Sequence, residues 1–194
     1  MITFTPKVFT VPALKGISAK TMEEHIKLYE GYVKNANAVL AKVEEYVKDS
    51  ETNAYVLGEL MRRFSFEWNG MKNHEKYFAL LEGGASPLTV GSPLENTITT
   101  TWGSVGAFMA RFKALALTRG IGWAMLSKDS AGNLLMHWVD EQHLGQLQDT
   151  TPVIALDMWE HSFVADYQPS GKKNYVEDFF ENLNWSVAEK FFAE

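Results

Sequence analysis

The chain has 194 residues, 46% of them hydrophobic and 13% aromatic, enough to bury a substantial core as one domain or as two small lobes and too apolar for a disordered protein. Eighteen Lys and Arg against 24 Asp and Glu give a net charge of −6 with no basic run to follow a phosphate backbone, which excludes nucleic acid as the expected partner. The absence of Cys removes disulfides, thiolate metal sites and a Cys nucleophile together, leaving His and carboxylates to hold any metal.

The opening residues, MITFTPKVFTVPAL, carry prolines at positions 6 and 12 and neither a continuous apolar run nor a small-residue cleavage site, so they do not read as a secretion signal. No stretch approaches the ~18 apolar residues needed to cross a bilayer, so no membrane partner is expected and the expected compartment is the cytoplasm. From Ser18 the sequence supplies a cap, acidic residues in the first turns, and apolar positions at Ile26, Tyr29, Val33, Ala36, Leu40 and Val43. That spacing predicts a long amphipathic helix, bent near Gly31. Residues 54–82 repeat the pattern through Leu57, Leu60, Met61, Phe64, Trp68, Met71, Phe78 and Leu81, and the two helices are expected to pair as an antiparallel hairpin.

Residues 83–95, GGASPLTVGSPLE, concentrate Gly, Pro and Ser and read as a linker, which places an N-terminal domain at 1–86 and a C-terminal domain at 87–194. Residues 96–118 read as one helix with a start weakened by Thr97, Thr99, Thr100 and Thr101. GWAMLSKD and NLLMHWVD flank Ser130, Ala131 and Gly132 as the arms of an antiparallel hairpin, and VIALDMW after Pro152 is a third apolar run. Residues 175–192 return to helical spacing through Phe179, Leu183 and Val187. The order lacks strand–helix alternation, so the expected class is α+β: an N-terminal antiparallel helical hairpin, then a C-terminal domain with a small three-stranded antiparallel sheet and flanking helices.

Among the five histidines, His25 and His74 lie on the two hairpin helices, while D-M-W-E-H places Asp157 and His161 four residues apart, on one face if the chain turns helical there. Three imidazoles and a carboxylate suit iron, manganese or zinc and suit calcium or magnesium poorly. Spacing alone leaves a surface ion pair and two structural helix histidines as the ordinary reading.

Leu156 to Tyr167, LDMWEHSFVADY, resembles the D-x-W-E-H-A-x-x-x-x-Y signature of the iron/manganese superoxide dismutases. ISAKTMEEH at 17–25 is similar to that family's first-ligand helix and NHEKYF at 73–78 to its second-ligand segment, and WGS, GIGWAM and NYVEDFFENLNW follow in family order. The resemblance implies that His25, His74, Asp157 and His161 hold one iron or manganese ion per subunit between the two lobes, with Trp123 and Trp159 walling the site. It implies disproportionation of superoxide to dioxygen and hydrogen peroxide, for which zinc would be inert because it has no accessible redox change.

Family members carry a Gln or His that hydrogen-bonds the metal-bound solvent. At the helix position for that group this chain has Gly70, so the resemblance points to VDEQHLG, with His143 as first choice, Gln142 as the alternative, and iron favoured slightly over manganese on the His143 assignment. Tyr29 and Tyr32 stand where the family has a gating His and Tyr, with one residue fewer between ligand and Tyr, and Val164 replaces a Tyr of the same gate. Glu160 resembles the glutamate that reaches across a twofold interface, which implies a homodimer and leaves tetramers open. Lys172 and Lys173 are candidates for a local field that draws superoxide to a negatively charged protein, and His137 matches nothing. The competing readings are a catalytically silent subunit of the same fold, against which all four ligands are retained, and a non-haem oxygenase, whose sites carry two His and one carboxylate.

Overall fold

A computed structural model describes residues 2–194. Helix α1 spans Ala19–Tyr46 and runs through Gly31 as one α-helix; Ser18 caps it by accepting a hydrogen bond from the Thr21 amide at 3.1 Å. Its buried stripe, Met22, His25, Tyr29, Val33, Ala36 and Val39, recurs at three and four residue steps and faces α2, Ala54–Ala79, to which a short 3-10 turn at Val47–Asp49 leads. The two helices form the antiparallel hairpin. Gly70 is required at their contact, since a Cβ there would lie 2.5 Å from Cδ1 of the Tyr32 ring. The extended N-terminal segment is bound to the hairpin, with Phe4 exchanging two 2.8 Å hydrogen bonds with the Asn37 side chain and Phe9 packing on Tyr29 and Phe78.

The connection that follows is shorter than the predicted linker, because Ser92 and Pro93 already start α3, Pro93–Trp102. The single helix expected over 96–118 is two. Gly103 ends α3 in the left-handed conformation at φ 85°, and Ser104 caps α4, Val105–Ala116, by accepting from the Ala107 amide at 3.0 Å. Strands β1 (Gly122–Asp129), β2 (Leu134–Asp140) and β3 (Thr150–Asp157) form an antiparallel sheet in the order β2-β1-β3. The central strand β1 is buried over its first six residues, and its register sets Trp123 directly opposite Asp157, so both side chains leave the same face at the same end of the sheet.

After β3 come a 3-10 turn at Glu160–Ser162, one helical turn α5 at Val164–Tyr167, then α6, Lys172–Asn182, and α7, Trp185–Ala193. The last two replace the one helix expected over 175–192. Leu183 turns extended, and Asn184 uses the break to bind the end of the hairpin: its amide donates to Leu80 O at 2.8 Å and its side chain to Glu82 O at 2.7 Å. One apolar core runs from Tyr77, Phe78, Leu80 and Leu81 of the hairpin through the sheet to Phe108, Phe112 and Phe179. The architecture is α+β, a helical hairpin followed by a three-stranded antiparallel sheet with flanking helices.

Candidate metal centre

The four side chains singled out by the sequence meet where the hairpin crosses the end of the sheet. His25 comes from α1, His74 from α2, Asp157 is the last residue of β3, and His161 stands in the 3-10 turn beyond. Ser162 fixes that turn by donating to Asp157 O at 3.0 Å and Trp159 O at 2.6 Å. One carboxylate oxygen, Asp157 Oδ2, lies 3.0 Å from His25 Nε2, 3.1 Å from His161 Nε2 and 3.4 Å from His74 Nε2. The other oxygen accepts the Trp159 amide at 2.8 Å, which orients the group. All four donor atoms lie within 4.8 Å of one another, and the His25, His74 and Asp157 side chains are fully buried.

The electrostatics fit a cation among these atoms. His74 Nδ1 is 2.6 Å from the Gly70 carbonyl, which can only accept; the imidazole therefore carries its proton there and turns the Nε2 lone pair inward. That Nε2 is buried with no hydrogen-bond partner. Burial, reinforced by His25 and His161, pushes the His74 pKa down to about 3, and burial lowers His25 as well, so both rings are neutral. Burial opposes ionisation of Asp157, but His161 and His25 outweigh it and hold the carboxyl below its ordinary range. The His74 lone pair thus faces the buried Asp157 carboxylate with no proton between them, a repulsion that a positive ion at that point would relieve. Two ligands at roughly 2.1 Å from an ion and about 90° apart are separated by about 3.0 Å, the spacing seen around Oδ2.

Around the donors is a ring of hydrogen-bonded aromatic side chains. Gln142, fully buried, accepts from Trp123 Nε1 at 2.9 Å and donates from Nε2 to the Tyr32 hydroxyl at 2.9 Å. Trp123 and Tyr32 both pack on His74, at 5.0 and 5.1 Å between ring centroids. Trp159 stacks on His161 at 5.8 Å and donates its indole N–H to Glu141 O at 2.9 Å. Burial, then the charges of Asp157 and Glu67, raise the Tyr32 pKa, so its hydroxyl keeps its proton.

The geometry separates the two residues named for the solvent-facing position. Gln142 reaches Tyr32 and Trp123; its neighbour His143 sets its ring edge-on to Phe66 at 5.7 Å and makes no hydrogen bond or ring contact with the donor side chains. Glu141, before them, adopts φ 51°, a local turn that the sequence does not announce and that decides which side chain enters. Tyr29 shares a helix face with His25, but its hydroxyl accepts from the Lys7 amide at 2.9 Å and lies 3.4 Å from Glu75, with burial pushing its pKa up to about 12; it is committed outside the donor cluster. Val164 opens α5, and Glu160 is exposed beside His161. Lys172 donates to Thr118 O at 2.7 Å and lies over the Trp138 ring, which commits its charge there, while Lys173 is exposed. His137 sits on β2, its pKa lowered by burial, and joins none of these contacts.

Four further residues support the site. Asn73 donates to Gln142 O at 3.0 Å and accepts from Gln146 at 3.0 Å, tying the turn after β2 to α2. Tyr175 donates to Asp157 O at 2.9 Å and lies 3.2 Å from the Tyr77 hydroxyl, and Tyr77 packs on His25 at 5.0 Å. Phe66 touches Tyr32, His143 and Trp159. Asn73 and Tyr175 fall inside segments that the sequence marks, but nothing in an aromatic or an Asn taken alone separates such a role from core packing.

Residues 7–82 match the family described as iron/manganese superoxide dismutases, alpha-hairpin domain, and residues 90–191 match its C-terminal domain. The chain is 35% identical over 184 residues to an iron superoxide dismutase of Cupriavidus metallidurans, covering 93% of this chain and 90% of the relative. It is 32% identical over 186 residues to a manganese superoxide dismutase of Thermus thermophilus, covering 92% and 90%. A third relative, an iron superoxide dismutase of Aquifex aeolicus, is 30% identical over 190 residues, covering 93% and 86%.

Proposed function

The chain belongs to the iron/manganese superoxide dismutases, and on that premise we propose that His25, His74, Asp157 and His161 hold one iron or manganese ion per subunit. The observation that carries this assignment is the approach of three imidazole Nε2 atoms to a single buried carboxylate oxygen, one of them with no hydrogen-bond partner. The protein is a superoxide dismutase: two superoxide anions and two protons become dioxygen and hydrogen peroxide. Iron or manganese supplies the one-electron exchange between the two halves of that reaction, which zinc cannot.

The chain's own residues provide the rest. Asp157 brings the negative charge that a cation needs, and the His74–Gly70 contact fixes which nitrogen faces it. Trp123, Trp159 and Phe66 wall the site against bulk water. Tyr32, protonated, packed on His74 and held by Gln142, presents a hydroxyl beside the site through which protons can be relayed. Gln142, its amide oriented by Trp123 and Tyr32, would be the donor toward solvent held by a bound ion. Without His143 in that position the ground for preferring iron is gone, and the donor set serves either metal.

The assembly proposed is a homodimer in which Glu160 reaches the partner's His161; Glu160 is exposed and His161 is the one donor side chain with solvent access, at 21%. Residues 1–86 and 87–194 are its two domains. No helix among the described residues is long and apolar enough to cross a membrane, and the proposed compartment is the cytoplasm, to be tested by fractionation. Nothing favours a catalytically silent subunit. The deciding experiment is metal analysis with a superoxide assay on protein reloaded with iron, manganese or zinc. About one ion per subunit and activity with iron or manganese but not zinc is expected, with loss of both metal and activity in His161→Ala. Metal-replete protein that leaves superoxide unconsumed overturns the reading.

A further inference from the structure

Of the four donor side chains, His25, His74 and Asp157 are sealed, and only His161 is open to solvent, at 21%. In the single chain the exposed edge of the donor set is thus that of His161, and the approach to it runs beside the position proposed for the partner's Glu160. From there a continuous series of aromatic contacts runs along the hairpin side: His161 stacks on Trp159, Trp159 meets Phe66 edge-on at 6.5 Å, and Phe66 packs on Tyr32 at 5.9 Å. Over the Phe66 ring of that series, at 3.6 Å, lies the exposed Arg63 guanidinium of α2. Its Nε donates to Glu67 Oε1 at 2.9 Å, one turn along α2, and among the described residues this is the only hydrogen bond the guanidinium makes. The Arg63 side chain is 54% exposed and that of Glu67 5%.

We propose that Arg63 is the entry cation of this site, drawing the anionic substrate to the aromatic mouth; the inference rests on the superoxide reading above. A chain of net charge −6 repels an approaching anion, so delivery needs a local positive field. Arg63 supplies one with both terminal NH2 groups uncommitted, held in place by a ring below and a buried carboxylate behind. Glu67 makes the pair a dipole with its positive end outward, which limits the pull to short range. Eleven residues, roughly 16 Å of helix, separate Arg63 from His74. That distance suits guidance, not coordination. Lys172, the cation the sequence suggested, is already bound to Thr118 O.

The test compares Arg63→Gln and Arg63→Lys with Lys48→Gln, which removes the same charge from the exposed turn at the far end of the hairpin. Each metal-loaded protein is measured for kcat/KM with superoxide across ionic strength, and for the rate of azide association by stopped flow. Arg63→Gln is expected to lower both by roughly twofold to threefold at low ionic strength, a difference that closes once salt screens the site, with kcat unchanged. Arg63→Lys keeps most of both rates, and Lys48→Gln matches the starting protein. If Arg63→Gln is indistinguishable from Lys48→Gln, or if Arg63→Lys loses as much as Arg63→Gln, the entry role is wrong. A protein that takes up azide with this dependence but consumes no superoxide refutes the superoxide reading while leaving Arg63 as an anion guide.

Discussion

The hairpin side of the metal centre is drawn from helix interiors, whereas the C-terminal side is drawn from a strand end and two turns. His25, Tyr32 and His74 sit on faces that the 3.6-residue period fixes, backed by i and i+4 neighbours on a regular backbone. Asp157, His161 and Gln142 depend instead on side-chain bonds to irregular backbone: Ser162 within the turn and Tyr175 from α6 on the Asp157 carbonyl, and Asn73 from α2 on the Gln142 carbonyl. The helical side is rigid by construction and the C-terminal side by side-chain bonds, one of which, from Asn73, ties it to the hairpin. Damage to either should therefore differ in kind.

Asp157→Asn breaks the comparison at its centre and has the largest expected effect. It removes the one negative charge that three imidazoles share, so metal affinity should fall by more than about 100-fold, beyond the range of outer-shell changes. Metal content after dialysis against a buffered metal pool measures it. Next, Gln142→Ala should lower activity by about 10- to 100-fold with metal retained, whereas His143→Ala should stay within about twofold. Equal losses in the two variants would mean that the turn does not select Gln142. On the hairpin side, Gly70→Ala places a Cβ 2.5 Å from the Tyr32 ring. Overpacking of about 1–3 kcal/mol should exceed the roughly 1 kcal/mol gained from helix propensity. The variant should unfold at lower denaturant and lose activity as Tyr32 shifts; a more stable, fully active Gly70→Ala would show that the helices part freely there.

The same contrast sets what the sequence discloses. Both long helices and the strand hairpin follow from periodicity, because helix faces and strand alternation are local properties, whereas His25, His74, Asp157 and His161 stand out together only through the likeness of their segments to the family. The breaks do not follow as readily. Gly103–Ser104 and Leu183–Asn184 interrupt apolar patterns that continue across them, and Asn184 breaks the helix for bonds to Leu80 and Glu82, some 100 residues away. The choice between Gln142 and His143 turns on the backbone of Glu141, at φ 51°, where a one-residue difference exchanges the side chain bonded to Tyr32 and Trp123 for the one packed on Phe66. Tyr29 shows the converse error. Its helix face is right, but an extended segment at Lys7, with no periodicity to read, captures its hydroxyl.

The smallest predicted effect isolates the hairpin side by pH. His74 titrates in the unfolded chain near its ordinary value of about 6.5 but only near about 3 in the fold, where burial disfavours its charged form. Below about 6.5 the unfolded state binds the extra proton, so metal-free protein should lose stability as pH falls and regain it as pH rises. Between pH 6.5 and 5.5 His74 alone contributes a loss of about 1 kcal/mol, and His25, lowered by the same burial, acts in the same direction. Asp157 enters only nearer its ordinary value of about 3.9, so this window reports the buried imidazoles, with His137 on β2, also lowered by burial, adding to the two helix histidines. Urea midpoints of the metal-free protein should fall across it, and His74→Gln should flatten the slope by one proton's worth. A slope unchanged by His74→Gln would mean that the ring is not held neutral, and the inward lone pair on which the metal assignment leans would be lost with it.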